Sequence, residues 1–127
     1  MNEINLSFLE LKTFTEQDAL DYCQINNINP EDITELDLSW NKLTDISGIK
    51  IFKNVKDLYL KDNELTDISA VKYLKNIEYL NITYLELESD QIKYIKSLKN
   101  LEDLSCYKGF KDMNILNQLN NNIKIIK

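Results

Sequence analysis

Residues 33–54, ITELDLSWNKLTDISGIKIFKN, are followed without a gap by 55–76, VKDLYLKDNELTDISAVKYLKN, and the two share 11 of 22 positions. No other feature of the chain constrains its fold as strongly. Internal identity at a fixed period means that one supersecondary unit is built repeatedly and stacked on itself. Within each unit, Leu36 and Leu38, then Leu58 and Leu60, alternate with polar residues, the pattern of a half-buried strand. A single coil of this kind cannot bury its apolar side, so each leucine must pack on its equivalent one coil away.

Two further units continue the pattern less regularly. Residues 77–100 keep Ile77, Leu80, Ile82, Leu87, Ile92, Ile95 and Leu98 and carry two extra residues. Residues 101–121 keep Leu101, Leu104, Cys106, Phe110, Met113, Leu116 and Leu119 and have lost one. The shared spacing, L-xx-L-x-L-xx-N-x-L, is the signature of a leucine-rich repeat. Asn41 and Asn63 fall where the chain leaves the strand, and a carboxamide there can pair with turn backbone. Asp45 and Asp67 precede Ile46-Ser47 and Ile68-Ser69, where each can cap a short helical turn.

The segments LTDISGIKIFKN and LTDISAVKYLKN resemble the 22-residue class of leucine-rich repeats found in bacterial internalins and related phosphatase-regulator-like proteins, over residues 33–122. That resemblance implies an α/β fold: a right-handed solenoid with a parallel sheet on its concave face and short helical or 3-10 segments on the convex one. It also implies use as a protein-binding platform. The start, MNEINLSFLELK, has no basic n-region, and the chain is expected to depart from the internalins in lacking a signal peptide and a wall-anchoring tail. The expectation is a cytoplasmic protein, with Cys23 and Cys106 as buried reduced thiols.

The expected organisation is one domain in three parts. Residues 1–32 form an acidic helical cap, 33–122 hold about four repeats (33–54, 55–76, 77–100 and 101–121), and 123–127 form an edge strand. Thr15-Glu16-Gln17-Asp18 reads as the start of a helix running to about Asn27, with Ala19, Leu20, Cys23 and Tyr22 on its apolar face. Residues 1–32 hold seven carboxylates against Lys12 alone, whereas the remainder holds 14 carboxylates and 14 lysines. Solenoids expose core at their ends unless a polar-faced unit covers it, and an acidic amphipathic helix suits that task. Ile123, Ile125 and Ile126 form the edge strand, which Lys124 and Lys127 blunt or a second molecule covers, giving a monomer or a weak oligomer.

Chemistry is narrowed by what the chain lacks. It has no His and no Arg, hence no imidazole base, no Ser-His-Asp or Cys-His arrangement, and no guanidinium fork. Its two glycines, Gly48 and Gly109, cannot form a phosphate cradle. No catalytic constellation, cofactor or small-molecule substrate is expected.

Function therefore falls to the residues that differ between coils. The strand positions facing the concave side, with the first loop residue, are Glu35, Asp37, Ser39 and Trp40, then Asp57, Tyr59, Lys61 and Asp62. Tyr79, Asn81, Thr83 and Tyr84 follow, then Asp103, Ser105, Tyr107 and Lys108. Trp and Tyr offer large, rigid contact area and are enriched at interface hot spots. The aromatic residues among these are expected to anchor a protein partner, with Asp37, Asp57 and Asp62 matching a basic surface on it. The sharper expectation is an inhibitor of immunity or anti-defence type that masks a nucleic-acid-binding enzyme; a scaffold or adaptor is an alternative. Five strands spaced about 4.8 Å, four residues each at about 3.3 Å, outline only ~250 Å², against about 800 Å² per partner in a stable interface. Loops must add area, and the irregular segments 82–92 and 105–112 are the expected source. A different alternative uses two lysine rows, Lys50, Lys72 and Lys96 beside Lys53, Lys75 and Lys99, as a phosphate-tracking stripe for nucleic acid or an anionic surface.

Overall fold

The computed structural model describes residues 2–127. Six strands of three residues each form one parallel sheet in chain order: β1 (Glu3–Asn5), β2 (Glu35–Asp37), β3 (Asp57–Tyr59), β4 (Tyr79–Asn81), β5 (Asp103–Ser105) and β6 (Lys124–Ile126). Parallel strands need a crossover, and here each crossover is the rest of one coil. It contains a helix, α1 (Glu16–Ile25), in the first coil and 3-10 turns at Ser47–Ile51, Ser69–Tyr73, Ser89–Gln91 and Met113–Gln118 in the others. A second short helix, α2 (Ile92–Lys96), extends the fourth crossover. This is the expected leucine-rich-repeat solenoid.

The register brings equivalent residues into contact. Ile4, Leu36, Leu58, Leu80, Leu104 and Ile125 align across the sheet. Leu36, Leu58, Leu80 and Leu104 are fully buried, each flanked by polar residues on the open face. Leu38, Leu60, Ile82 and Cys106 form the next buried row, and Phe52, Leu74 and Leu98 floor the descending side.

The carboxamide ladder stitches the first coils together. Asn41 Oδ1 accepts from the Leu9 and Leu11 N–H groups, both at 3.0 Å, and Nδ2 donates to the Leu6 and Leu38 carbonyls. Asn63 repeats this one coil on, accepting from the Leu43 N–H and donating to the Leu38 and Leu60 carbonyls. A second ladder runs down the descending side: Asn54, Asn76 and Asn100 each donate Nδ2 to a carbonyl of the preceding coil, those of Glu31, Lys53 and Lys75. The Lys-Asn pair closing each unit is thus half surface and half staple. Asp45 and Asp67 accept from the N–H groups of Ser47 and Ser69 at 2.8 and 2.7 Å, holding the entry to each 3-10 turn.

Two details differ from the sequence reading. The segment before the repeats contains a strand as well as a helix. β1 pairs with β2 in register, Ile4 opposite Leu36, so six strands rather than five line the sheet. Helix α1 has the expected capping box, in which Thr15 and Asp18 each bond the other's backbone N–H. Leu20, expected on the apolar face, is instead exposed; Ala19 and Cys23 carry the packing. Helix α1 lies against the 3-10 turn at Ser47–Ile51, so closely that a Cβ on Gly48 would stand 2.3 Å from the Thr15 carbonyl oxygen.

Candidate interaction face

The residues leaving each strand share an unusual backbone. Phe8, Trp40, Asp62, Tyr84 and Lys108, one per coil, all have φ between 50° and 64°. Side chains other than Gly, Asn or Asp rarely adopt this left-handed conformation. Here it turns the chain out of the sheet and projects each side chain along the rim of the open face. Trp40, Tyr84 and the neighbouring Tyr107 are exposed as a result. The first and fourth coils contain a second such residue, Glu10 and Glu86. In those coils Leu9 and Leu85 occupy the place of the ladder asparagine.

The structure groups the candidate residues into three aromatic sets. Trp40 stacks on Phe8, with centroids 5.6 Å apart and planes 9° from parallel, and the Lys61 ammonium lies 5.1 Å above the Trp40 ring. Tyr59 and Tyr79 pair across neighbouring strands at 5.2 Å. Tyr84 and Tyr107 meet edge to face at 5.5 Å, with Lys108 over Tyr107. Tyr59 and Tyr79 are half-buried in the sheet, and the Tyr79 hydroxyl is bonded to Ser105 Oγ at 2.7 Å. Pairing across strands stabilises the sheet itself, so these two form a fixed floor.

Two candidates serve the turn. Asp37 Oδ1 accepts from the Ser39 N–H, and Asn81 Oδ1 from the Thr83 N–H, at 2.9 and 3.0 Å. Each still has lone pairs toward solvent, but its orientation is set by the coil. Asp62 and Asp103 are half-buried at the rim and in β5.

The carboxylates form a row. Glu3, Glu35 and Asp57 are register partners on β1, β2 and β3, and Asp37 lies beside them. Partial burial pushes the Glu35 carboxyl up, and repulsion from Glu3, Asp57 and Asp37 adds to it. Burial and Glu78 push Asp57 up, with Lys56 opposing. Tyr59 is raised too, first by burial and then by Glu35 and Asp57. Among the described residues the ion pairs are Lys42–Glu10, Lys50–Glu16 and Lys111–Glu88, all away from this row. Lys61 and Lys108 are drawn to aromatic rings, so among the described residues no lysine forms an ion pair with this row.

These shifts fix a pH dependence. Glu35 and Asp57 hold protons more tightly folded than unfolded, so lowering the pH from neutrality through their raised values adds stability. Asp18 and Asp67 are lowered, chiefly by backbone N–H groups of Thr15 and Ser69. Their contribution is present above the usual Asp range and is lost as pH falls through it. The melting temperature should pass through a maximum on the acid side of neutrality, and Glu35→Gln with Asp57→Asn should raise it at pH 7. A melting temperature that only declines on acidification from pH 7 would contradict the assignment.

Sequence reasoning missed Phe8 and Glu3. A signal was present: INLSF at 4–8 matches LDLSW at 36–40 in pattern. The 32 residues from Glu3 to Glu35, against 22 from Glu35 to Asp57, break the period that would have revealed it. The lysine rows are exposed on the opposite side, where Lys50 pairs with Glu16 and Lys72 covers the Tyr73 ring. A wide depression of about 770 Å³ lies there too, lined in part by Pro30, Lys50, Ile51, Tyr73 and Lys75.

A coiled parallel sheet, ladder asparagines and 3-10 crossovers define a leucine-rich-repeat solenoid, a class whose extended surfaces serve protein interaction. A leucine-rich-repeat family profile matches residues 29–52. Among solved structures, an internalin (InlF) from Listeria monocytogenes is similar in fold, with a TM-score of 0.66, 23% identity, and coverage of 76% of this chain. The chain spans 28% of the length of that internalin. No curated protein matches the sequence. Among the described residues, no helix is long and apolar enough to cross a membrane.

Proposed function

We propose that this protein is a non-catalytic module that acts by occupancy, its open sheet face and rim engaging a basic surface on a protein partner. The observation that carries this reading is the carboxylate row of Glu3, Glu35, Asp37 and Asp57, beside exposed Trp40, Tyr84 and Tyr107. No member of the row is in an ion pair among the described residues, and burial with like-charge neighbours pushes Glu35 and Asp57 up. Cationic groups of a partner would relieve that repulsion, while the aromatic sets supply rigid apolar contact. Tyr59 and Tyr79 form the floor between them, with Lys61, Asp62, Asn81 and Asp103 as the polar surround.

In its finer form the reading is an inhibitor, of immunity or anti-defence type, in the cytoplasm. A surface that presents spaced carboxylates competes for the basic groups that a nucleic-acid-binding enzyme offers to phosphates. An affinity pull-down with mass spectrometry identifies the partner. Trp40→Ala with Tyr59→Ala should then weaken binding at least tenfold. Loss of the Tyr59–Tyr79 pair lowers the melt, while the circular-dichroism spectrum at the binding temperature stays that of the folded protein. Duplex DNA should compete with the protein for that partner, and affinity should fall as salt rises. Unchanged affinity of the double variant would overturn the sheet-face reading; indifference to DNA would remove the inhibitor form alone.

A further inference from the structure

The coil that should be the most polar is the stickiest. A unit that covers the end of a solenoid is expected to present a polar outer face. Yet in the first coil Phe8 and Leu9 are 69% and 55% exposed, and Leu20 and Ile25 are exposed as well. Between the loop after β1 and the outer side of α1 lies a groove of about 620 Å³. Leu6, Leu9, Leu11, Phe14 and Tyr22 line its apolar part, and Glu10, Asp18 and Asp21 stand among the lining residues, with Lys12 as the one cation.

We propose that this groove is a docking site for a basic amphipathic segment of a protein partner, one that alternates apolar and lysine or arginine residues. The proposal rests on the reading above that the partner presents a basic surface, and it places the partner's main apolar anchor on the first coil. Two observations support that occupant. The first is charge: Glu10, Asp18 and Asp21 edge an apolar floor against Lys12. Although Lys42 pairs with Glu10 at 3.9 Å, the edge stays acidic, so an acidic or purely apolar segment fits less well than a basic one. Asp18 is held in place by the Thr13 hydroxyl and Thr15 N–H, and Asp21 by the Gln17 carboxamide. The second is continuity. Leu9 lines the groove, and its neighbour Phe8 stacks on Trp40 at the rim of the sheet face. Groove and face thus form one surface joined through an aromatic pair. This adds area that the small sheet lacks, from the first coil as well as from Tyr84 and Tyr107 in the irregular later ones. Solubility alone would call for the carboxylates but not for the exposed Phe8 and Leu9.

The test uses the full chain and a labelled peptide of leucine and lysine at helical spacing, followed by anisotropy and by the emission of Trp40, the sole tryptophan. A lysine–serine peptide of the same length and charge, and a leucine–glutamate peptide, are the controls. The leucine–lysine peptide should bind and shift Trp40 emission, and the controls should bind at least tenfold more weakly. Leu9→Ser with Asp21→Lys changes two exposed side chains, and Phe8→Asn suits the left-handed backbone. Each should weaken the peptide at least tenfold with an unchanged circular-dichroism spectrum. Equal binding of the lysine–serine peptide, or no binding of any peptide, would overturn the groove. Binding that survives Leu9→Ser/Asp21→Lys but is lost in Tyr59→Ala/Asp57→Asn would also overturn it, leaving the sheet-face reading intact. The reverse pattern would support the groove as the peptide's site, and the sheet face is then judged by the partner's binding to Trp40→Ala/Tyr59→Ala.

Discussion

Asn41→Ala should unfold the first coil from the rest of the molecule and lower stability by about 3–5 kcal/mol. The carboxamide serves the Leu9 and Leu11 N–H groups and the Leu6 and Leu38 carbonyls; the Leu38 carbonyl keeps the Asn63 donor, so three backbone groups are left without a partner. Each buried polar group left unpaired costs about 1–3 kcal/mol, and water entering the opened turn recovers part of that. Against a total of about 5–15 kcal/mol for a domain, such a loss is severe. Urea unfolding should show a lower midpoint, and amide exchange should accelerate first at Leu9, Leu11 and the β1 ladder. Asn41→Asp should fall between, because it keeps the acceptor and loses the donor. Asn41→Leu should be as damaging as Asn41→Ala, even though Leu85 occupies the equivalent place in the fourth coil. That coil accommodates leucine by turning Glu86 into the left-handed region. Adding Lys42→Gly to Asn41→Leu should therefore recover part of the loss. A stability loss under 1 kcal/mol for Asn41→Ala would show that the ladder is replaceable by water.

Gly48→Ala is the second large effect. The added Cβ would meet the Thr15 carbonyl oxygen at 2.3 Å and the Phe14 carbonyl oxygen at 2.7 Å, both backbone atoms that cannot rotate away. The Gly48 N–H also donates to the Phe14 carbonyl at 2.7 Å, fixing the approach. Relief requires α1 to move off the 3-10 turn at Ser47–Ile51, so the cost should reach the upper part of the 1–3 kcal/mol typical of overpacking. Far-ultraviolet circular dichroism should lose helical signal, and proteolysis should open near Thr15. The reverse change in the next coil, Ala70→Gly, should cost under about 1 kcal/mol, its expected effect being the entropy of a freer unfolded chain. Equal effects at the two positions would refute the close-approach explanation.

These two residues show where the sequence was readable. Asn41 stands out because the repeat copies it at Asn63, and its chemistry follows from its place after the strand. The fold followed from such copied positions: alternating leucines gave the strands and their register, and Thr15 with Asp18 gave the start of α1. Gly48 looked like an ordinary variation on Ala70, because its need for space arises from α1, which no other coil contains. The same limit hid β1. Three strand residues with a longer crossover carry little periodic signal, and INLSF reads as a repeat only after Phe8 is seen beside Trp40.

The candidate face was legible by position and less so by role. The alternation rule identified the side of the sheet on which Glu35, Tyr59, Lys61 and Tyr79 lie. It could not indicate that Asp37 and Asn81 bond their own turns, or that Lys61 covers a ring rather than a carboxylate. Those outcomes depend on distances between coils and on the left-handed residues at each strand exit. Nothing in residue identity announces that conformation at Phe8, Trp40, Tyr84 or Lys108.

The matched geometry of the second and third coils has a consequence for length. Trp40-Asn41 and Asp62-Asn63 share one turn type, so the underside of one coil presents the same hydrogen-bonding template as the underside of the next. Another 22-residue copy could be inserted at Val55 without altering the turns on either side. It would push the two halves of the rim about 4.8 Å apart, parting Trp40 from Lys61 and lengthening the carboxylate row by one step. Growth by duplication thus acts as a ruler on this surface, and partner choice could change through spacing alone.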